Sequence, residues 1–111
     1  MQVQTNEEGR VIDVRYEGGY VDAVILGEGA SRCRVRYRDK EGETWLIELG
    51  AVGHLSVSSF GVGNTIRAMW VLGPAHGPRL FVLEGDFGGH LSATCHRVCV
   101  RPLTERLAQV S

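Results

Sequence analysis

The sequence is poor in lysine, in proline and in long apolar runs. Lys40 is the single lysine among 12 basic residues, which face 13 acidic residues and leave a formal net charge of −1. This balance excludes a global electrostatic attraction to nucleic acid or membrane. Three prolines beside 15 glycines predict many turns between short elements. No apolar run approaches the roughly 18 residues that cross a bilayer, so we expect no membrane partner.

Cysteine is also scarce, and the beginning of the sequence shows no export signal. The three cysteines are an odd number, which argues for reduced thiols in a reducing compartment. The first ten residues, MQVQTNEEGR, contain neither the charged region nor the apolar region of a signal peptide. We therefore expect an intracellular protein, either cytoplasmic or nuclear.

Short β-branched or alternating runs between glycine-rich turns predict an all-β fold. The predicted strands are residues 10–16, 20–26, 31–39, 43–49, 65–72 and 79–84, with a short strand at 54–60 and one bent strand or two over 90–102. The one segment that fits a helix follows Pro102. We expect a flexible N-terminus (1–9), a single small SH3-like β-barrel domain (10–103) and a short C-terminal helix or tail (104–111).

The two halves of the predicted domain resemble each other. When Leu26 is laid on Leu72, Gly42 falls on Gly88 and Val35 falls on Phe81. Both halves then share the order strand, glycine loop, strand, glycine turn, strand. This order indicates an internal repeat with units at 10–55 and 65–103.

The segment SRCRVRYRD (31–39) carries a row of arginines. Because strand side chains alternate, one face of this strand presents Arg32, Arg34, Arg36 and Arg38, and the other presents Cys33, Val35 and Tyr37. The apolar face is expected to point into the core. Arginines two positions apart are about 6.5–7 Å from one another, a spacing that can follow the phosphates of a nucleic acid.

Carboxylates offer a second explanation for the arginine row. The acidic residues expected on neighbouring strands are Asp13, Glu17, Asp22, Glu43 and Glu48. Cross-strand ion pairs are common on exposed sheet faces, and the whole chain is slightly acidic. The sequence therefore favours a solvated, internally paired face, with contact to a nucleic acid or an acidic partner as the open alternative.

The stretch EGGYVDAVILGEGASRCRVRYRDKEGETWLIEL resembles a Tudor or agenet domain of the SH3-like barrel group. The pattern runs aromatic, alanine and valine, loop, Val-x-Tyr-x-Asp and a glycine turn, and the residues here that match it are Tyr20, Ala23, Val24, Val35, Tyr37, Asp39 and Gly42. A looser second match includes Ala68, Phe81, GDFGG (85–89) and RVCVRPL (97–103). Tandem copies are frequent in that family.

The resemblance implies a non-enzymatic reader that holds a methylated lysine or arginine in an aromatic cage. The ligand-binding candidates would be Tyr20, Tyr37 and Trp45 in the first copy, and Trp70, Phe81 and Phe87 in the second. Asp39 is followed by Lys40 where the family pattern has an aromatic residue. Core packing is the alternative role for each of these aromatics, and the alternation places Tyr37 with the core residues.

No catalytic, metal or cofactor motif stands out. HLSATCHRVC (90–99) groups two histidines with two cysteines, but its spacing does not match common structural zinc sites. If this segment is one strand, Cys95 and Cys99 share a face with Arg97 and Arg101, which disfavours a cation. The acidic residues are scattered and form no catalytic pair. We expect no enzyme activity, no metal and no cofactor.

These patterns predict a non-enzymatic binding module that recognises a peptide or a nucleic acid through one barrel face. The alternative is a small barrel that acts through self-association as a homo-oligomer, or that binds a small molecule in a crevice near Trp70 and Phe60. Steep salt dependence would indicate nucleic acid, whereas a defined mass above that of the monomer would indicate self-association.

Overall fold

The computed structural model describes residues 3–27, 31–58, 65–74 and 77–103. In these residues the chain forms eight strands and no helix: β1 (Tyr20–Leu26), β2 (Arg32–Arg38), β3 (Thr44–Gly50), β4 (His54–Ser58), β5 (Ile66–Leu72), β6 (Arg79–Gly85), β7 (His90–Cys95) and β8 (Arg97–Pro102). They form two four-stranded antiparallel sheets, in the orders β1-β2-β3-β8 and β4-β7-β6-β5. The predicted all-β class is confirmed.

Each sheet is built around a three-stranded meander closed by a glycine turn. In the β2–β3 turn Gly42 has φ +90°, and in the β6–β7 turn Gly88 has φ +83°. Side chains with a Cβ rarely adopt such backbone angles, so glycine permits the chain to reverse at both places. The two glycines are the pair that the alignment of the two halves brings together.

The fourth strand of each sheet comes from the other half of the chain. After β3 the chain leaves its sheet through residues 51–53, and β4 pairs with β7. After β7 the chain turns at His96, and β8 pairs with β3. The segment 90–102 is therefore two strands that lie in different sheets, and the two halves exchange their last strands.

One hydrophobic core joins the inner faces of the two sheets. Its fully buried side chains include Val35, Tyr37 and Ile47 from the first sheet and Phe81 and Leu91 from the second. The burial along β2 alternates as predicted, with the apolar residues inside and the arginines outside or partly covered. This alternation fixes the arginine row on the outer face of the first sheet.

Residues 10–16 differ from the prediction, because they do not form a strand. Val11 forms an isolated bridge with Thr5, and Arg10 forms one with Trp70. Val11 and Tyr16 are buried, and the Tyr16 hydroxyl donates a hydrogen bond to the carbonyl oxygen of Val11 at 2.7 Å. Buried side chains and single bridges hold this segment where the alternating pattern predicted a ladder.

The described residues form two separate sheets rather than one closed barrel. Where a closed barrel would continue a ladder, Tyr20 and Thr65 form an isolated bridge. β8 is the fourth strand of the first sheet and β4 is the fourth strand of the second, and no continuous ladder of described residues joins the two sheets at their edges. The predicted helix at 104–111 and Phe60 lie outside the described residues. The flexible N-terminus and the repeat units stay predictions.

Candidate functional site

The outer face of the β1-β2-β3-β8 sheet carries six arginines, and we call it the arginine face. Four of them lie on β2 and two on β8, with β3 between these strands: Arg32, Arg34, Arg36, Arg38, Arg97 and Arg101. In the register of the three strands, Arg36, Leu46 and Arg101 form one row. Leu46 is 7% exposed. The aliphatic stems of arginines can cover an apolar side chain in this position while their charged heads stay in water.

Glu48 compensates two of these arginines from the centre of the face. Its carboxylate lies 2.9 Å from Arg101 Nε, which donates a hydrogen bond to it, and 3.8 Å from Arg34 Nε. The three residues therefore bridge β2, β3 and β8. All three side chains remain partly exposed, so these ion pairs are screened by solvent and contribute little to stability.

Asp22 on β1 compensates two further arginines. Its Oδ2 atom lies 3.1 Å from Arg36 Nε and 3.8 Å from Arg38 Nε. Arg36 Nε is shielded from solvent and has no hydrogen-bond partner in the structure. The contact with Asp22 is thus an electrostatic pair without the geometry of a hydrogen bond, and it leaves this donor without an aligned acceptor.

Two of the five carboxylates named from the sequence pair with the arginine face. Those two are Asp22 and Glu48, whereas Glu17 pairs with Arg10. Glu43 lies 3.5 Å from the guanidinium of Arg15. The sequence pattern thus identified both carboxylates that pair with this face. Glu17 and Glu43 instead pair with arginines that lie outside the strands.

One end of the arginine face has no acidic partner among the described residues. The register places Arg32, Gly50 and Arg97 in one row across β2, β3 and β8. Both arginines are exposed, and neither forms an ion pair with a described carboxylate. Among the described residues, six arginines against two carboxylates leave the face positively charged, although the whole chain has a net charge of −1.

Gly50 opens a depression between these two arginines. The depression has a volume of about 280 Å³, and its walls include Arg32, Arg34, Arg97 and the carboxylate-bearing Glu48. A Cβ atom on Gly50 would lie 3.5 Å from Arg97 Nε, so the Arg97 side chain leans over the glycine. We call this depression the Gly50 notch. Guanidinium groups and the Glu48 carboxylate surround it, and Gly50 contributes no side chain that would fill it.

The structure brings together two of the six aromatic candidates. The rings of Tyr37 and Trp45 are stacked with their centroids 6.3 Å apart and their planes 7° apart. The Trp45 indole donates a hydrogen bond to Asp39 at 3.0 Å, and the Tyr37 hydroxyl donates one to the Arg15 carbonyl oxygen at 2.9 Å. Tyr37 is fully buried, and burial raises the pKa of its hydroxyl. This pair holds the β2–β3 turn.

The other four aromatic candidates lie on separate elements. Phe81 is fully buried in the core, and a ligand in solvent cannot reach it in this structure. Trp70 is partly buried, and its indole donates a hydrogen bond to Glu84. Tyr20 begins β1 and is 47% exposed, whereas Phe87 is 76% exposed in the β6–β7 turn. Both side chains are exposed to solvent, and ligand binding by Tyr20 and Phe87 stays a prediction.

A second depression lies between residues 10–17 and the β2–β3 turn. Its volume is about 460 Å³, and both apolar and charged side chains line it. Arg10 pairs with Glu17, and Arg15 pairs with Glu41 across it. Because these cations already have carboxylate partners, this depression offers a weaker anion site than the Gly50 notch.

The cysteine-rich segment is divided by the turn at His96. Cys95 ends β7 and is buried, whereas Cys99 lies on β8 and is partly exposed beside the arginine face. The segment is two strands rather than one, so Cys99 shares a face with Arg97 and Arg101 whereas Cys95 does not. Burial raises the pKa of the Cys95 thiol. No cluster of metal-ligating side chains occurs in the part of the chain that the structure describes.

Sequence reasoning missed three parts of this site: Gly50, Arg97 and Arg101. The alternation in RVCVRP puts both arginines on one face of a strand, and that signal was available. The signal does not say which strand β8 will join. Only the pairing of β8 with β3 adds these arginines to the row on β2.

No family model, curated protein or solved structure matches this chain. In the described ranges, no helix is long and apolar enough to cross a membrane. The charge and geometry of the arginine face are therefore the features that point to a function.

Proposed function

We propose that this protein is a non-enzymatic binding module that holds the phosphate backbone of a nucleic acid on its arginine face. The observation that carries the proposal is the concentration of six arginines, with only two carboxylates among the described residues, on one side of one sheet. Guanidinium groups match phosphate oxygens with paired hydrogen bonds, which favours phosphate over a peptide without acidic groups.

The composition of the face favours binding that ignores base sequence. Contacts to phosphates position a nucleic acid, whereas contacts to base edges or stacked bases specify it. Tyr37 and Phe81 are buried in the core, and Trp45 uses its indole N–H on Asp39. The face thus offers many N–H groups that can donate hydrogen bonds to phosphates, and few groups that could recognise a base. We expect similar affinity for unrelated sequences.

The test is fluorescence anisotropy with labelled DNA and RNA oligonucleotides, single- and double-stranded, over a range of salt concentrations. The variant is Arg34→Ala with Arg36→Ala. It preserves the fold, because Glu48 keeps Arg101 and Asp22 keeps Arg38 as partners. We expect the double variant to bind at least about tenfold more weakly and to lose about one unit of salt dependence per phosphate contact.

The matched control is Arg67→Ala, which removes an exposed arginine from β5 in the other sheet. Glu48→Gln supplies an opposite test, because it frees Arg34 and Arg101 and is expected to strengthen binding. Equal affinities for the wild type, the double variant and the Arg67 variant would contradict the proposal. A failure of Glu48→Gln to strengthen binding would show that the pairs on the face only support the sheet.

Self-association is the second candidate function, and the exposed edge of β1 favours it. β1 ends the order β1-β2-β3-β8, so beyond the isolated bridge of Tyr20 with Thr65 one side of its backbone has no strand partner among the described residues. Val24, Ile25 and Leu26 follow one another on it and are 36%, 47% and 59% exposed. An apolar edge without lysine or proline is a ready surface for pairing with a second copy. Such pairing would extend the sheet that bears the arginine face.

We also propose that the fold is a Tudor-like, SH3-like architecture built from two repeat units. The strand order supports a repeat, since β1-β2-β3 and β5-β6-β7 are both antiparallel meanders whose last strand pairs with a strand of the other half. Both meanders also have an irregularity near the start of their first pair, between Val21 and Ala23 and between Ile66 and Ala68. Shared irregularities are typical of related units.

A further inference from the structure

We infer that the Gly50 notch is a subsite for one phosphate group of the bound nucleic acid, held between Arg32 and Arg97. This inference rests on the proposed function, and it identifies the point on the arginine face where a phosphate is held most tightly. The chemistry recognised is a phosphoryl oxyanion, which a backbone phosphodiester or a free phosphate could supply.

The register places two guanidinium groups on opposite sides of a residue without a side chain. Arg32 and Arg97 flank Gly50 directly on β2 and β8. Two strand spacings put their Cα atoms roughly 9–10 Å apart. Arginine side chains are long enough to converge over the gap, and Arg97 already leans over Gly50. A phosphate group fits between two such forks.

Neighbouring rows of the face cannot offer the same site, because their arginines already form ion pairs with carboxylates. Glu48 lies in the next row and forms ion pairs with both Arg34 and Arg101. Asp22 forms ion pairs with Arg36 and Arg38. The Gly50 row is the one that has two arginines and no described carboxylate partner. An anion in this row therefore displaces no ion pair between described residues, and the Glu48 carboxylate that also lines the notch stays paired with Arg34 and Arg101.

Glycine is also what keeps the notch open. The backbone of Gly50 does not require glycine, because its φ is not positive. A Cβ atom at this position would meet the Arg97 Cβ at 3.4 Å, which is an ordinary contact. The fold can therefore accept a larger residue here, and that residue would fill the space between the two arginines.

The first experiment compares Gly50→Glu with Gly50→Gln in oligonucleotide binding. The two side chains have the same size, but only glutamate places a negative charge between Arg32 and Arg97. We expect Gly50→Glu to bind at least about tenfold more weakly than Gly50→Gln, since each lost charge-assisted contact is equivalent to about tenfold in affinity. Circular dichroism and thermal melting check that both variants fold as the wild type does.

The second experiment uses Arg32→Ala and Arg97→Ala, with Arg67→Ala as the control on the other sheet. Each notch variant is expected to lower the slope of log affinity against log salt by about one unit, and the control leaves it unchanged. Titration with inorganic phosphate, followed by NMR of the Gly50 amide, separates a free phosphate from a backbone phosphate as the source of the ligand.

The outcomes separate the two proposals. If oligonucleotides bind but the two Gly50 variants bind equally, the subsite is overturned and the proposed function stands. If no oligonucleotide binds but inorganic phosphate shifts the Gly50 resonance, the proposed function is overturned and the notch is a site for free phosphate. If neither ligand has an effect, both proposals are overturned.

Discussion

At the scale of single residues, Asp39 organises the turn between β2 and β3. It is 4% exposed, and its Oδ1 atom accepts hydrogen bonds from the backbone N–H groups of Glu41 and Glu43 at 2.9 Å each. Its Oδ2 atom accepts the Trp45 indole N–H. A side chain that binds the backbone two and four residues later fixes a turn, which explains why aspartate occupies this place.

The same contacts set the ionisation of Asp39. Burial disfavours its charged form, but the hydrogen bonds from Trp45, Glu43 and Glu41 outweigh that effect and hold the pKa of Asp39 below its ordinary value of 3.8. A carboxylate with a lowered pKa stabilises the folded state above its ordinary pKa. That contribution is lost as the pH falls through the lower pKa of the folded state.

We predict that Asp39→Asn lowers the free energy of unfolding by about 1–3 kcal/mol at neutral pH. An amide accepts hydrogen bonds at one oxygen only, so at least one donor in the turn loses its acceptor. Urea denaturation measures the effect. The gap between wild type and variant should narrow as the pH falls below 3.8, the ordinary pKa of the carboxylate.

Asp13→Asn is the control, because Asp13 is exposed and should change stability by no more than about 0.5 kcal/mol. A gap between wild type and Asp39→Asn that stays constant down to strongly acidic pH would show that the charge of Asp39 contributes nothing. The effect would then come from the shape of the turn alone.

At the scale of elements, β1 is an edge strand that is much more exposed than a core strand. Its partner β2 buries every second residue, whereas β1 buries none of its seven residues fully. Val24 and Leu26, with Ile25 between them, are exposed on both faces of the strand. Exposed apolar residues in succession at a sheet edge mark an interaction surface.

We predict that Ile25→Lys abolishes concentration-dependent association of the protein. Lysine on an edge strand prevents pairing with another strand because its charge would be buried in the new interface. Sedimentation velocity or light scattering at increasing protein concentration measures the mass. The wild type should approach the mass of a dimer, and the variant should remain a monomer.

Ile12→Lys is the matched control, since Ile12 is 60% exposed but lies outside the strands. If both lysine variants associate as the wild type does, the edge of β1 is not the interface. Loss of association in the Ile12 variant alone would place the interface at the N-terminal segment.

At the scale of the whole molecule, the exchange of last strands makes each half depend on the other. β8 supplies the only described neighbour of β3 on the side away from β2, and β4 does the same for β7. The core cluster draws its buried residues from both sheets. A separated half would therefore expose one face of its sheet and leave its last strand without a partner.

We predict that residues 3–58 and residues 65–103 do not fold when produced separately. Each piece is short for a domain, and neither can cover the apolar face of its meander. Circular dichroism and amide proton dispersion by NMR measure folding. Mixing the two pieces should restore strand signal, because β3 and β7 then regain β8 and β4.

A full-length chain nicked between the halves is the control for this prediction, since it retains both pieces. A well-dispersed NMR spectrum from either piece alone would contradict it. That result would mean that one half is an independent domain and that the exchanged strand is dispensable.

The sequence predicted those parts of the fold that depend on neighbours along the chain. β1 was predicted with its observed bounds, and the alternation on β2 placed Val35 inside and Arg34 outside. The sequence did not predict the absence of a strand over residues 10–16, because a strand needs a partner that pattern alone does not supply. The alternation placed Tyr37 in the core, but pattern alone did not separate the exposed Tyr20 from the buried Phe81.

The amino-acid sequence by itself determined the all-β class, the glycine turns and the face on which the β2 arginines lie, because these follow from local conformation and two-residue periodicity. Only the tertiary structure decided that β8 lies beside β3 and that Arg32 and Arg97 flank Gly50. The pairing of strands distant in sequence depends on burial of both sheets in one core. The charge of the arginine face is therefore a property of the folded chain.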